Sequence, residues 1–62
     1  MVILMNELII YDVNDLIKIL KVSRVTIIRY IKDKKIKAFK VGNSYRITKD
    51  ALMEYIKEQE KS

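Results

Sequence analysis

The stretch that decides the fold is LKVSRVTIIRYI, Leu20–Ile31, in which one helix ends and a second helix begins. Ser23 is a preferred helix N-cap residue. The residues that then fall on one side of the second helix are Ile27, Tyr30, Ile31 and Lys34. Only Lys21 and Val22 remain as the connection between the two helices. Two short helices joined so briefly form the minimal helix-turn-helix.

Upstream of this stretch the pattern predicts a strand and then the first helix. Leu8–Tyr11 is short, apolar and aromatic, which suits a strand. Asp12 has the side chain of an N-cap, and Asp15 follows three positions later. The apolar residues then recur at the i, i+3, i+4, i+7 spacing of one helical face, at Val13, Leu16, Ile17 and Leu20. We expect a first helix of about two turns.

Downstream, the periodicity changes to that of a β-hairpin. Ile36–Val41 and Ser44–Ile47 flank Gly42-Asn43, which holds the only glycine of the chain and suits the positive φ angles of a two-residue turn. Pairing Val41 with Ser44 sets the register. That register predicts Lys40 opposite Tyr45 and Ala38 opposite Ile47. The face toward the core is then expected to carry Ile36, Ala38, Tyr45 and Ile47. Phe39 and Arg46 are expected on the other face.

A final helix is predicted after the hairpin. Thr48 is its expected cap, and the buried stripe consists of Leu52, Tyr55 and Ile56. We expect Glu58 to Ser62 to fray. All three helix starts share the spacing of a hydrophobic staple, in the pairs Tyr11 with Leu16, Val22 with Ile27 and Ile47 with Leu52.

Composition excludes several functional classes. The 62 residues contain no cysteine and no histidine, which removes disulfides, the usual zinc sites and the commonest general base. The longest apolar run, Val2 to Met5, is far below the roughly 20 residues of a membrane-spanning helix. The sequence indicates no cofactor, no metal, no paired carboxylates and no nucleophile with its base, so we expect a cytoplasmic protein that is not an enzyme.

The positive charge is concentrated in the middle of the chain. Lys18–Arg46 holds ten basic residues against only Asp33, a net charge of +9, within an overall net charge of +5. The flanking segments, residues 1–17 and 47–62, carry −3 and −1. Such segregation is typical of a surface that meets phosphates. A lysine-rich solvated face is the alternative interpretation of the charge alone.

The run YDVNDLIKILKVSRVTIIRYIKDKKIKAFKVGNSYRITKDALMEYI, residues 11–56, resembles the excisionase-like DNA-binding domains, which are relatives of the MerR group. The motifs that carry the resemblance are LKVSRVTIIRYI, KKIKAFKVGNSYRI and TKDAL. The resemblance implies an α+β, mainly α, winged helix-turn-helix, with the hairpin as the wing. We expect residues 1–62 to form a single domain, in which residues 1–7 are an N-terminal extension that either lengthens the first strand or contacts a neighbouring copy.

In this family the second helix enters the major groove of DNA and the wing approaches the adjacent minor groove. Steps of 100° place four residues on the outer face of the second helix: Val25, Ile28, Arg29 and Lys32. Arg24 and Thr26 lie in its first turn, where free N–H groups favour a phosphate. In the wing, Lys40 and Arg46 are expected to flank the DNA backbone, with Asn43 and Ser44 at the tip, although turn chemistry alone also explains Asn43. Tyr30 and Tyr45 fit the core better than stacking on bases.

Val25 and Ile28 depart from the family pattern, which has more polar, basic or aromatic residues at these positions. Apolar side chains in the major groove meet thymine methyl groups, which predicts an A·T-rich site. The same side chains also suit packing against a neighbouring copy of the protein. The sequence leaves these two interpretations open.

Three functions fit this pattern, and all but one require double-stranded DNA as the partner. The first is an excisionase, or recombination directionality factor, that bends DNA, self-associates on it and recruits an integrase. The second is a small transcriptional regulator, and the same residues also fit the DNA-binding domain of a larger recombinase. The third is a module that docks to protein. MerR-type activators continue into a long dimerisation helix, and this favours the excisionase interpretation. We expect the protein in a prokaryotic cell, at the nucleoid, or encoded by a virus or plasmid.

Overall fold

The computed structural model describes residues 8–61, which form a winged helix-turn-helix. The elements follow one another as β1 (Ile10–Asp12), α1 (Val13–Leu20), α2 (Arg24–Lys32), β2 (Phe39–Val41), β3 (Ser44–Thr48) and α3 (Lys49–Lys61). The α+β class, mainly α, is as the sequence predicts. The expectations for residues 1–7 lie outside the described residues.

Each helix starts at the cap that the sequence predicts. The Asp12 carboxylate accepts a hydrogen bond from the backbone N–H of Asp15 at 2.9 Å, and the Asp15 carboxylate accepts from the N–H of Asp12 at 3.1 Å. This reciprocal pair is a capping box in which aspartate replaces the usual glutamate. Ser23 and Thr48 each accept from the backbone N–H three residues later, at 3.2 and 3.1 Å. The three helix starts are therefore determined by local hydrogen bonds.

Residues in the left-handed conformation lie just after the ends of α1 and α2. Lys21 adopts the left-handed conformation, with φ of 58°, and its N–H donates to the carbonyl of Ile17 at 2.9 Å, which ends α1. The prediction that Lys34 lies on α2 is wrong, because α2 ends at Lys32 and Lys34 itself has a φ of 66°. The chain reverses there because the carbonyl of Tyr30 accepts hydrogen bonds from the two residues that follow Lys34.

The sheet has the strand order β1-β3-β2, and both pairs are antiparallel. The predicted hairpin register is confirmed by the pairs Val41 with Ser44 and Lys40 with Tyr45. Gly42 supplies the turn with its φ of 62°. The strand predicted at residues 8–11 is observed two residues later, at Ile10–Asp12, where it pairs with β3.

Three details of the predicted hairpin are wrong. β2 begins at Phe39 rather than at Ile36, and β3 continues to Thr48. Ala38 is not paired with Ile47, because the β2–β3 ladder ends at the pair Phe39 with Arg46, and Ile47 pairs only with Tyr11 of β1. The reason is that the N–H of Ile36 donates to the carbonyl of Tyr30 at 3.3 Å and its side chain is buried in the core, with 1% exposed. Residues 36–38 therefore connect α2 to the sheet and are not part of β2.

The core lies between the three helices and one face of the sheet. Its fully buried members are Leu16, Ile27, Ile36 and Ile47, joined by Val13, Ile31 and Leu52. All three predicted staple pairs contribute to this cluster, with Tyr11 and Val22 at its half-buried margin. Leu52 is the buried member of the α3 stripe, and Tyr55 and Ile56 are half-buried against the core.

α3 continues through Lys61, and the expected fraying of Glu58 to Ser62 stays a prediction, of which Ser62 lies outside the described residues. The ammonium group of Lys61 lies 3.8 Å from the carboxylate of Glu58, one turn earlier on the helix. A cation in the last turn also interacts favourably with the helix dipole. Both effects support the last turn beyond the apolar stripe.

Candidate nucleic-acid interface

The outer face of α2 carries a shallow cleft, the helix cleft, lined by Arg24, Val25, Ile28, Arg29, Lys32 and Asp33. The four residues expected on this face recur at the i, i+3, i+4, i+7 spacing. Val25 is 68% exposed, and Arg29 and Lys32 are exposed as well. Ile28 is half-buried because its inner side packs against the core. The helix cleft therefore combines exposed cations with apolar side chains.

A second cleft, the wing cleft, lies between the first turns of α1 and α2 and the tip of the hairpin. The helices contribute Asn14, Arg24 and Ile28, together with Asp12 and Val13 at the start of α1. The hairpin contributes Lys40, Asn43, Ser44, Tyr45 and Arg46. Arg24 and Ile28 line both clefts, so α2 and the wing present one continuous surface. The structure thus brings together nine of the ten residues expected at the site.

Thr26 is the exception among the expected residues. Its hydroxyl lies 2.9 Å from the hydroxyl of Ser23, and its backbone N–H donates to the same Ser23 oxygen at 3.2 Å. The backbone N–H of Thr26 is therefore occupied by the helix cap, its hydroxyl is in contact with Ser23, and Thr26 lines neither cleft. Its contribution to the site is to hold the first turn of α2 in place.

Asn14 is a site residue that sequence reasoning missed. It is exposed on the first turn of α1, and its side-chain oxygen accepts a hydrogen bond from the Arg24 guanidinium. This contact links α1 to the start of α2 and directs Arg24 along the wing cleft. The signal in the sequence is weak, because ten residues separate the two partners and only the turn between the helices brings them together.

In the wing, aromatic and backbone groups orient the cations. The ammonium group of Lys40 lies over the ring of Tyr45, 5.2 Å from the ring centre, a favourable cation–π geometry. The half-buried Arg46 donates a hydrogen bond to the carbonyl of Tyr45 at 3.4 Å. Tyr45 packs against the core, as predicted, but it also supports Lys40 in the wing cleft. Tyr45 is therefore a second residue whose place in the site was missed.

The electrostatics of the two clefts favour a polyanion. Five cations line them, namely Arg24, Arg29, Lys32, Lys40 and Arg46, against the carboxylates of Asp12 and Asp33. The Asp12 carboxylate already accepts a hydrogen bond within its capping box. A concave, positively charged surface built from a helix N-terminus and a hairpin attracts phosphate groups.

Residues 8–61 show neither a metal site nor a membrane-spanning helix. No group of acidic side chains in this part of the chain is arranged to hold a metal ion. None of the helices that the structure describes is both long and apolar enough to cross a membrane. The apolar groove beside Tyr30 and Tyr55 lies between α1, α2 and α3 and shares no lining residue with either cleft.

Comparison with known proteins agrees with this geometry. A family model described as a helix-turn-helix domain matches residues 10–60, which is most of the chain. No curated protein and no solved structure matches the chain. Domains of this kind bind DNA and are typically not enzymes. The match spans α1, α2, the hairpin and nearly all of α3, so the chain belongs to the helix-turn-helix domain family, whose function is sequence-specific DNA binding.

Proposed function

We propose that α2 lies in the major groove of double-stranded DNA while the wing reaches the adjacent minor groove. The observation that carries this proposal is that Arg24 and Ile28 line both clefts, which makes helix and hairpin one surface. Val25, Ile28, Arg29 and Lys32 then face the base edges or the groove walls.

The remaining contacts follow from the same placement. Arg24, at the start of α2, and Lys40 and Arg46, in the wing, contact phosphates on either side of the groove. Asn43 and Ser44, which are exposed at the hairpin tip, approach the minor groove. Thr26 acts through the cap of α2.

Chemical interference tests this placement in both grooves at once. Methylation of guanine N7 blocks the major groove, and methylation of adenine N3 blocks the minor groove. We expect guanine N7 interference at guanines within or bordering the stretch that α2 covers, and adenine N3 interference about half a helical turn away, where the wing lies. Interference confined to one groove would contradict the arrangement.

At the level of the biological role, we propose an excisionase-like architectural factor that binds DNA repeats, bends the duplex and works with an integrase. One short helix and one wing bury only about 600–1,000 Å² on DNA, too little for high specificity by a single copy. Useful occupancy then requires several copies side by side. The excisionase-like domains within the same family support this role.

Binding to paired sites separates this role from that of a simple regulator. We expect cooperative binding to two or more closely spaced direct repeats, because copies joined head-to-tail repeat by translation along the duplex. Bending costs about 1–6 kcal/mol, which the additional contacts offset. A circular-permutation gel assay measures the curvature. A stable two-fold dimer on one inverted repeat, with straight DNA, would instead favour a transcriptional regulator.

A further inference from the structure

The helix cleft contains an apolar pair, Val25 and Ile28, among basic side chains. Val25 is 68% exposed, the largest exposed fraction among the large apolar side chains of the described residues. Ile28 lies one turn further along α2 and presents the part of its side chain that the core does not cover. Arg24, Arg29 and Lys32 surround the two residues within the same cleft. An exposed apolar pair inside a cationic cleft is a candidate contact for an apolar group of a bound molecule.

Charge argues against a second copy of the chain as that molecule. The centre of a protein–protein interface is depleted of charged residues, especially lysine. Here Arg24 and Arg29 stand within about one helical turn of Val25 and Lys32 within about two, and in the cleft only Asp33 opposes them. A two-fold contact through this apolar pair would place the cations of one copy against the same cations of the other. The cations around Val25 and Ile28 instead match a polyanion that carries apolar groups inside its groove.

Only one base supplies such a group in the major groove of unmodified DNA, since thymine alone carries a C5 methyl. We propose that Val25 and Ile28 form a thymine-methyl-reading pair, and that this pair gives the protein its preference for A·T base pairs. The inference rests on the proposed placement of α2 in the major groove and assigns the base specificity of that placement.

The two residues have different parts in this contact. Ile28 is held by its packing against the core, so its exposed edge is rigidly placed. Val25 lies at the second position of α2, and its β-branched side chain has few rotamers to lose on binding. Val25 is also remote from the buried cluster, so it can be changed without opening a cavity.

Replacing thymine with deoxyuridine removes the methyl group and leaves every hydrogen-bonding group of the base unchanged. The probe is a duplex that the protein itself selects from a random-sequence pool, with each thymine then replaced singly by deoxyuridine. We expect one or two positions at which the replacement weakens binding about three- to fourfold, the effect of one methyl group removed from an apolar contact. The other positions should show no change.

Val25→Ala is the matching protein variant. It should weaken binding to the thymine duplex and abolish the difference between thymine and deoxyuridine at one of those positions. Alanine is the better helix former, so a loss of affinity cannot come from a weaker helix. Met53→Ala, which shortens another exposed apolar side chain on α3 outside both clefts, should leave the ratio unchanged.

The outcomes separate this inference from the proposed function. Salt-dependent binding with guanine N7 interference, but with equal affinity for thymine and deoxyuridine at every position, would overturn the methyl-reading pair and leave the major-groove placement standing. A thymine preference that persists in Val25→Ala at every position would also overturn the role of Val25. If no duplex is enriched and binding does not depend on salt, the proposed function fails and the inference fails with it.

Discussion

The salt dependence of DNA binding tests the five cations of the two clefts together. Each phosphate that a cation neutralises contributes about −0.9 to the slope of log affinity against log salt concentration. The proposed interface has five phosphate contacts, or four if Lys32 faces a base edge instead of a groove wall; the hydrogen bond from Arg24 to the neutral side chain of Asn14 leaves the charge of Arg24 available to a phosphate. The expected slope is about −3.6 to −4.5. Between roughly 50 and 200 mM salt, affinity should then fall by about 150- to 500-fold.

The double variant Arg29→Ala, Arg46→Ala removes one cation from each cleft and should flatten the slope by about two units. Lys37→Ala is the matched control: its ammonium group lies 3.2 Å from the carboxylate of Glu54 and lines neither cleft. We expect its slope to equal that of the unmodified protein. Fluorescence anisotropy of a labelled duplex at several salt concentrations gives the slopes, and circular dichroism confirms that each variant folds.

Two results would refute this reasoning. An unchanged slope in the folded double variant would show that Arg29 and Arg46 do not contact the DNA backbone. Binding by the unmodified protein that is indifferent to salt would remove the electrostatic basis of the proposed interface and favour docking to a protein.

Three further predictions concern stability. Ile27→Ala, at a fully buried position, should lower the free energy of unfolding by about 2–5 kcal/mol in urea denaturation. The control Ile19→Ala, at a position that is 45% exposed, should change it by less than about 1 kcal/mol. Asp12→Ala should cost about 1 kcal/mol by removing the N-cap of α1, seen as a lower thermal midpoint. Burial, and to a smaller extent the neighbouring Tyr30, raises the pKa of Tyr55 above its ordinary value of 10.0. The unfolded chain therefore loses this proton at a lower pH than the folded protein, and the free energy of unfolding should fall as the pH rises above 10. Tyr55→Phe should reduce that fall in alkaline denaturation curves.

The helix starts were predictable to the residue because their causes are local. Asp12, Ser23 and Thr48 each accept a hydrogen bond from an N–H only three positions away. The hairpin register was equally predictable, since Gly42 determines the turn and the turn sets the pairing. In these places the sequence carries all the information within a few residues.

The errors arose where neither helix caps nor apolar periodicity indicates the contacts that decide the conformation. The end of α2 and the start of β2 both depend on the carbonyl of Tyr30, which accepts from the N–H of Ile36. No local pattern indicates that bond. The partner of Ile47 is Tyr11, from the opposite end of the described chain, because β3 lies between the other two strands. A short strand is visible in the sequence, but its neighbour in the sheet is not.

The candidate site divides in the same way. Helical periodicity alone places Val25, Ile28 and Arg29 on one outer face, but it does not show that this face adjoins the hairpin tip. That meeting depends on the tertiary fold, as does the bond between Asn14 and Arg24. The sequence therefore predicts residues on α2 and residues in the wing, but it does not predict that the two elements meet in one cleft.

The two interpretations of Val25 and Ile28 show why the third dimension matters. In the sequence, an exposed apolar pair suits a neighbouring copy as well as a thymine methyl, because both partners are apolar. In the structure, the same pair lies between arginine and lysine side chains in a shallow cleft, so an apolar partner must arrive together with negative charge. A second copy brings a chain of net charge +5, whereas DNA brings the methyl group and the phosphates in one molecule. The cations that ensure attraction to any duplex thus favour thymine methyls, rather than a second copy, as the partner of the apolar pair.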